Sequence, residues 1–489
     1  MPPILALVLT LLFIAFLFRR EFRQEYTSSL ALSIPCIYLL ILGSRPVTRW
    51  VNLSTPVSVG DIAEGSPLDR SVFLALIVAG LAVLWKRRIS WSQLFRNNIA
   101  LTLFVLYCGI SIVWSDFPFV AFKRWTKGFG DPIMMLIILT EREPIKAAQF
   151  VFKTFLYILI PLSILLIKYY PHLGRGFSEW TGAPWNTGVT TNKNMLGFVL
   201  MVSGLFLVWR LFARWGGEGK PGKWLDDVGI PILLLGMVGW LFKMADSMTS
   251  LMGFILAILV YVGLGLGNVR AHVGSYGIAG ILIFLTMQVT FDITGVLIEG
   301  AGRNSTLTGR TELWDVVLHM DPRPMFGHGF ESFWLGDRLN ELQTMYYFKP
   351  NQAHNGYIEM YLNLGWIGLL FLAGVVVSCF VKLREMLTSG SGMTERVLFG
   401  RFGMAFLAAF VVYNYTEAAF KSLHFLFVIF LLFMIKYPEP LQRIAQSSPA
   451  LSPIGVQRVP RATAGTVPLS PRNSRRDTPD PPPILQTPQ

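Results

Sequence analysis

The chain has 489 residues, of which 53% are hydrophobic and only 15% are charged. A soluble domain of ordinary composition carries about 25% charged residues. The deficit extends along the whole chain, and apolar runs long enough to cross a bilayer repeat through it, which indicates a polytopic membrane protein. Because these runs are continuous and do not alternate with polar residues, a transmembrane β-barrel is disfavoured.

The net charge of +13 has an explanation within this class of protein. Lysine and arginine accumulate in the cytoplasmic loops of membrane proteins, so the excess does not indicate a nucleic-acid partner. The three cysteines lie in apolar segments and show no Cys-x-x-Cys or Cys/His spacing. The sequence therefore predicts neither a disulfide framework nor a zinc site, and we expect no cofactor.

Thirteen apolar segments follow one another, and they predict an all-α transmembrane bundle of about 12–13 spans. The first ends in Arg19-Arg20, whereas a secretory signal carries its positive charge before the apolar run, so we expect a retained helix. Residues 131–140 form the weakest segment. The segments cover residues 3–18, 28–44, 71–85, 99–114, 131–140, 150–168, 194–213, 229–243, 249–267, 275–292, 356–381, 400–415 and 420–436.

Basic loops predict the orientation of these segments. Four basic segments are expected on the cytoplasmic side, namely the loops at 86–96, 210–223 and 382–396 and the C-terminal tail. This placement is consistent with a chain that crosses the membrane thirteen times in alternating directions. The N-terminus is then outside. If 131–140 lies flat on the surface, the N-terminus moves inside, but the assignment after residue 150 is unchanged.

The same pattern divides the chain into four parts. Residues 1–292 hold about ten spans, and 356–437 hold three. Residues 293–355 form a long extracytoplasmic loop whose aromatic content predicts a small folded subdomain, with a helix near 307–320 capped by Thr308 and ended by Pro322. Residues 438–489 are rich in Pro, Ser and Arg, which predicts a disordered, basic cytoplasmic tail.

Polar residues from distant parts of the chain collect on the predicted outer side. Ionisable groups at a membrane are costly and mark sites or pathways. Several cations together suit an anion at headgroup level, such as a lipid diphosphate. Each lysine alone is equally well explained by snorkelling to lipid headgroups. For Arg310 the alternative, a cap or an ion pair within the loop, is the less favoured one. The group comprises Lys193, Lys243, Arg310 and Lys421 with Asn192, Asn194, Asn355 and Glu417, joined in the thirteen-span version by Lys123, Arg124 and Lys127.

His354 is the strongest catalytic candidate, because it stands next to Asn355 where the long loop re-enters the membrane. A neutral imidazole can accept a proton from a sugar hydroxyl. The alternative is a hydrogen-bonded interfacial histidine, which from position alone is the more common case. At His328, between Gly327 and Gly329, we expect the glycines to matter more than the imidazole.

Several motifs in the second half of the chain resemble the O-antigen ligase/polymerase (Wzy-C) superfamily. They are residues 309–314 (GRTELW), 324–329 (PMFGHG) and 353–355 (AHN). His354-Asn355 is followed after nine residues by Gly365-x-x-Gly368, which is similar to the signature of O-antigen ligases. Residues 191–197 (TNKNMLG) are more similar to the exopolysaccharide-polymerase (ExoQ-type) branch. The resemblance covers residues 190 to 430, and the rest of the chain agrees only in topology.

The resemblance implies a glycosyltransferase with a GT-C-like helical fold in the bacterial inner membrane, with its active site on the periplasmic side. The donor would be a polyprenyl-diphosphate-linked oligosaccharide, the acceptor a glycan, and no metal would be needed. By the matched motifs His354 would be the general base, and Arg310 would bind the diphosphate. For a second diphosphate-binding cation, Arg175 and Lys193 are both candidates.

Four functions remain open at this point. The chain could polymerise exopolysaccharide repeat units, which the Asn192-Lys193-Asn194 segment favours, or it could be a ligase that transfers a finished glycan to lipid A-core or to a protein. A transporter would place its polar groups near the bilayer midplane in repeated halves, which is not the pattern here. A scaffold for polysaccharide export machinery would need no catalytic residues.

Overall fold

The computed structural model describes residues 1–22, 29–51, 66–177, 184–214, 224–291, 310–346, 348–389 and 394–437. These ranges are mostly helical, and they contain one small antiparallel sheet formed by β1 (Arg175–Phe177) and β2 (Pro184–Asn186). The predicted all-α polytopic membrane fold is confirmed. The expected tail at 438–489 and cap at Thr308 lie outside the described residues.

In the described ranges, the first half of the chain contains ten α-helices, several of which begin at a proline. Proline is favoured at the first position of a helix, because the backbone N–H that it lacks would have no partner within the helix there. These helices are α1 (Pro3–Glu21), α2 (Ser33–Leu42), α3 (Val47–Val51), α4 (Pro67–Lys86), α5 (Trp91–Asn97), α6 (Ile99–Ile110), α7 (Pro118–Gly128), α8 (Gly130–Leu139), α9 (Pro144–Tyr169) and α10 (Pro171–Gly174).

The second half contains a further ten helices in the described ranges. They are α11 (Lys193–Ala213), α12 (Ile230–Ala245), α13 (Met248–Gly263), α14 (Gly267–Ala271), α15 (Val273–Phe291), α16 (Arg310–His319), α17 (Gly336–Met345), α18 (Gly356–Thr388), α19 (Glu395–Thr416) and α20 (Phe425–Met434). Helix α16 occupies the position predicted for a helix in the long loop and ends before Pro322.

Each of the thirteen predicted apolar segments contains a helix in its described part, but fewer qualify as complete spans by length and composition. Seven helical stretches qualify among the described residues, and an eighth qualifies if α5 and the stretch Ile99–Trp114, bent by 96°, count as one. Helix α8 has ten residues, a length of about 15 Å, which is half the thickness of a bilayer core. It is almost entirely buried against other helices, and it is too short to count among these candidate spans.

The centre of the bundle is formed by α9, α11, α19 and α20. All ten residues of α20 are buried, and about four fifths of the apolar windows of α11 and α19 are buried inside the protein. In lipid the association of helices depends on close packing and not on removal from water. Stacked aromatic rings provide this packing, as between Trp209 and Phe402, whose centroids are 5.0 Å apart. Helices α1 and α4 lie at the periphery.

Ion pairs attach the peripheral helix α1 to the bundle. Lys153 Nζ on α9 lies 2.8 Å from both carboxylate oxygens of Glu21, and Arg20 pairs with Asp226 just before α12. The Lys153 and Glu21 side chains are only 9% and 10% exposed. Loss of one partner would therefore leave a poorly solvated charge, so these contacts fix the position of α1.

A sharp kink at Gly365 interrupts α18 and explains the spacing of the glycine motif. Gly365 has φ +66°, and a Cβ added there would lie 2.3 Å from the carbonyl oxygen of Met325. The loop before α17 packs onto the kink: His328 N–H donates to the carbonyl of Leu362 (3.1 Å) and Gly329 N–H to that of Asn363 (2.8 Å). The kink thus joins the long loop to the membrane helix.

Replacing Gly365 with alanine should lower the melting temperature and loosen the loop from α18. The positive φ costs a non-glycine residue about 1–3 kcal/mol, and the clash with Met325 adds to that. The matched control is Gly374→Ala on the same helix, where a Cβ meets nothing within 4 Å and alanine favours the helix. Thermal unfolding in detergent measures both; equal melting temperatures for the two variants would contradict this account.

The long loop has a small hydrophobic core of its own. Leu313, Val317, Phe333 and Leu342 are fully buried and pack with Leu362 of α18. His328 is also buried: Nδ1 lies 3.2 Å from Asp116 Oδ2 and Nε2 lies 3.0 Å from the carbonyl of Asp321. The imidazole therefore contributes to the attachment of the loop, in addition to the two flanking glycines.

Candidate functional site

Glu417 is the centre of a polar cluster built from four distant parts of the chain. It follows the C-terminus of α19, and its side chain is only 10% exposed. Oε1 accepts hydrogen bonds from Asn194 Nδ2 (2.7 Å) and Arg310 Nη2 (3.1 Å). Oε2 lies 3.1 Å from His354 Nδ1. The cluster thus contains both predicted catalytic residues and two of the predicted supporting residues.

Arg310 is the first residue of α16 and makes two contacts at the end of α19. Besides its ion pair with Glu417, its guanidinium donates to the carbonyl oxygen of Thr416. A helix C-terminus carries partial negative charge, so the cation is favoured there. Since guanidinium has five N–H donors, donors remain beyond these two contacts for an anionic ligand.

His354 immediately precedes the cap of α18 and has a left-handed backbone conformation, with φ +52°. Its side chain is 33% exposed, more than those of Glu417 and Arg310. A carboxylate only accepts hydrogen bonds, so Nδ1 of a neutral His354 carries the proton and donates it to Glu417. The other nitrogen, Nε2, is then the basic one, and the structure orients it through Glu417.

Glu417 is ionised in this setting. Burial alone would raise the pKa of its carboxyl group, but the hydrogen bond and charge of His354 and the charge of Arg310 outweigh burial and lower the pKa below its ordinary value. The carboxylate therefore persists through the physiological pH range as an acceptor for both neighbours.

Two asparagines hold the backbone that carries the cluster. Asn414 Oδ1 accepts from the backbone N–H groups of Ala419 (2.9 Å) and Phe420 (3.0 Å), which fixes the turn after Glu417. Asn355 caps α18 through bonds from Tyr357 N and Ile358 N. The predicted supporting residue Asn355 therefore positions His354 from the adjacent residue.

The segment before α11 contributes the other side of the cluster. Asn192 is the cap of α11, and its side chain accepts from Met195 N–H (2.9 Å). Lys193 Nζ lies 3.5 Å from Asp246 Oδ2. Asn194 accepts a bond from Ser247 Oγ (3.4 Å) and donates to Glu417. Of these three residues, Asn194 contacts the cluster directly.

The remaining predicted cations are placed differently. Lys421 Nζ donates to Gln352 Oε1 (3.0 Å), and Gln352 Nε2 lies 3.3 Å from His354 Nδ1, so Lys421 borders the cluster. Arg175 is exposed on β1 and donates to the carbonyl of Ile167. Lys243 is exposed near the end of α12. Among the contacts of the described ranges, none joins Arg175 or Lys243 to Glu417.

Arg45 is a buried cation that the sequence analysis missed. Its guanidinium donates to the carbonyls of Thr190 (3.1 Å) and Gly188 (2.9 Å) and stacks over Trp50. These bonds hold the loop before Lys193 in place. An arginine directly after an apolar segment was a usable signal, since ionisable groups at a membrane mark important positions.

The donor set of the cluster is basic and amide-rich. Within the part of the chain that the structure describes, no group of three His, Cys, Asp or Glu side chains is close enough to hold a metal ion. The available functions are a nitrogen base on His354, an orienting carboxylate on Glu417, and cationic donors on Arg310, Lys193 and Lys421.

Comparison with known proteins relates the segments that carry three residues of this cluster to one family. A family model described as O-antigen ligase matches residues 187–373, which include Asn194, Arg310 and His354. The exopolysaccharide production protein ExoQ of Rhizobium meliloti (strain 1021) is 26% identical over 326 residues, covering 63% of this chain and 70% of the relative. These matches confirm the resemblance predicted from the motifs: residues 187–373 are similar to the O-antigen ligase family, and the chain is a multi-pass membrane protein similar to the ExoQ-type branch of the Wzy-C superfamily.

Proposed function

We propose that the protein transfers a polyprenyl-diphosphate-linked oligosaccharide to a glycan acceptor and thereby polymerises exopolysaccharide repeat units. The main support is the pairing of His354 with Glu417 beside Arg310, since it combines a base and an anion-binding group in one place. The matched relative is named for exopolysaccharide production, which favours polymerisation over ligation. The inner membrane, with the cluster on its periplasmic side, is the proposed location.

In the proposed reaction Nε2 of His354 accepts the proton of the acceptor hydroxyl. The hydroxyl oxygen forms a bond to the anomeric carbon of the donor sugar as the bond from that carbon to the diphosphate breaks. The diphosphate leaves with the electron pair as an anion. Attack opposite to the leaving group would invert the anomeric centre.

Positive charge at the site would stabilise the diphosphate leaving group. Arg310 would contact the diphosphate through the guanidinium N–H groups that are not bonded to Glu417 or Thr416. Lys193 and Lys421 would provide further positive charge. Positive charge fixed beside the oxygens that become anionic stabilises the transition state. We propose supporting roles for Asn192, Asn194, Asn355 and Glu417, and weaker, peripheral attraction of the donor by Arg175 and Lys243.

Replacing Arg310 with lysine should reduce transfer by about ten- to a hundredfold, because lysine lacks the planar fork that serves Thr416, Glu417 and a diphosphate together. Initial rates with a lipid-diphosphate oligosaccharide measure the effect. Arg19→Lys, at an exposed arginine near the end of α1, is the matched control. Full activity of Arg310→Lys would assign the arginine a purely structural role.

Deletion of the gene would distinguish the proposed polymerase from a ligase. A polymerase deletion should accumulate single lipid-linked repeat units, whereas a ligase deletion would accumulate long lipid-linked chains. Both are resolved by electrophoresis or mass spectrometry of extracted lipid-linked glycans. A strain with normal surface polysaccharide and no accumulated intermediate would contradict both enzymatic functions and favour an export scaffold.

The proposed chemistry also requires no metal ion, since cations of the protein would act on the diphosphate. Transfer by the purified protein should therefore be unchanged when a chelator removes divalent cations. Loss of activity with EDTA that added Mg²⁺ or Mn²⁺ restores would overturn this part of the proposal.

A further inference from the structure

A second concentration of positive charge lies on the amphipathic helix α7 (Pro118–Gly128). Lys123, Arg124 and Lys127 lie on this helix, and Arg70 of α4 is close enough to act on Lys127. All four side chains are at least partly shielded from solvent. Burial lowers the pKa of Lys127, and repulsion from the other three cations lowers it further, in spite of the opposing carboxylate of Glu331. Four cations and the one carboxylate of Glu331 therefore lie within interaction distance of one another.

The apolar side of α7 places these cations at headgroup level. Phe119, Phe122 and, just after the helix, Phe129 are 72%, 50% and 38% exposed. A helix with exposed aromatic rings and several cations lies in the membrane interface with its rings among the acyl chains. Arg124 also donates to the carbonyl of Glu331, which fixes α7 against the long loop.

A continuous chain of contacts connects α7 to the cluster around His354. A Cβ on Gly128 would lie 2.7 Å from Ser422 Oγ, and Asp131 Oδ2 accepts from Leu423 N–H (3.0 Å). The turn at 417–424 therefore contacts α7 and α8 at one end and presents Glu417 to His354 at the other. Lys421, between the two ends, reaches toward His354 through Gln352.

The geometry points to a second phosphate-binding site, formed by Arg70, Lys123, Arg124 and Lys127, which holds the diphosphate of a lipid-linked acceptor. This inference rests on the proposed function, in which Arg310 serves the donor diphosphate. Two cationic groups, one on each side of the turn at 417–424, would hold two lipid-linked substrates with the acceptor sugar directed to His354. A ligase with a different acceptor would have no need of the second group.

The ligand chemistry at this second site is a phosphate ester attached to a membrane lipid. At headgroup level, a lysine ammonium binds a phosphate as a point charge, and an arginine guanidinium binds it through two parallel N–H groups. Two sources supply that chemistry, namely the acceptor diphosphate and bulk anionic phospholipid. We infer that the ligand is the acceptor diphosphate, because the turn that carries Glu417 connects this site to the cluster around His354.

The test uses the full-length protein in phosphatidylcholine nanodiscs and a donor blocked at its own acceptor hydroxyl. Two labelled acceptors are compared: an oligosaccharide carrying a lipid diphosphate and the same oligosaccharide without it. Lys127→Ala should lower kcat/KM for the diphosphate acceptor by about tenfold and leave the free oligosaccharide unaffected. Lys127→Arg should keep the wild-type preference, and the exposed Lys86→Ala is the matched control.

Three outcomes would overturn the inference and leave the proposed function standing. An equal loss with both acceptors would show a general effect of Lys127 on folding or catalysis. An unchanged preference in Lys127→Ala would show that the site does not bind the acceptor diphosphate. A defect that appears only when phosphatidylglycerol is added would assign the cations to bulk lipid. Wild-type protein that transfers to neither acceptor would instead overturn the proposed function, and the inference with it.

Discussion

His354→Ala should reduce glycan transfer by about 10²- to 10⁴-fold, the usual contribution of a general base. In the structure Glu417 holds Nδ1 of His354, and the side chain is one third exposed, so Nε2 is available to an acceptor hydroxyl. Initial rates of chain extension by the purified protein measure the loss. Membrane insertion should be unchanged, and the melting temperature should fall only by the amount that the single contact with Glu417 contributes, since the imidazole fills no core position.

His319→Ala provides the matched control for this variant. His319 ends α16 within the same long loop, and its side chain is 80% exposed. It contacts Asp315 of its own helix. Near-normal polymer length in His354→Ala, or a comparable loss in His319→Ala, would rule out His354 as the base.

Much of the fold followed from composition because lipid imposes few solutions on a chain. Every long apolar segment became a helix, since a helix satisfies its own backbone hydrogen bonds. The number of complete crossings did not follow in the same way. Hydropathy cannot separate a span from a buried half-length helix such as α8, because both are continuously apolar. Only packing against neighbouring helices distinguishes them.

Residue type and motif predict two members of the candidate site. The sequence predicts His354 as a base and Arg310 as an anion-binding group, and the structure brings both side chains to one carboxylate, while their roles remain predictions. Glu417 was assigned only a supporting position, because nothing in the sequence shows that three distant segments converge on it. Its central place depends on the fold of the turn after α19.

Arg45 and Gly365 illustrate two further limits. The position of Arg45 after an apolar segment indicates that it matters, but the sequence does not identify its partners, because they are the backbone carbonyls of Gly188 and Thr190. Gly365 was noticed as part of a motif, but its positive φ and its contact with Met325 require three-dimensional information. Both residues shape the site without any chemistry of their own.

Glu417→Gln should reduce transfer by about 10²- to 10⁴-fold, although the substitution keeps the shape of the side chain. A glutamine amide can present either its N–H or its oxygen to His354, so the acceptor that fixes the tautomer of His354 is lost. The amide is also uncharged, so Arg310 loses its counter-charge. Chain extension assays measure the effect. Glu385→Gln removes an exposed carboxylate that pairs with Lys436 and is the matched control.

Stability provides an independent measurement of the same carboxylate. The pKa of Glu417 in the folded protein lies below its ordinary value of 4.5, so its ionised contacts stabilise the fold above that pH. This contribution is lost as the pH falls through the lowered pKa. The melting temperature of the wild type should therefore exceed that of Glu417→Gln at pH 7, and the difference should shrink in acid below pH 4.5. A difference independent of pH, together with full activity of the variant, would remove Glu417 from the centre of the site.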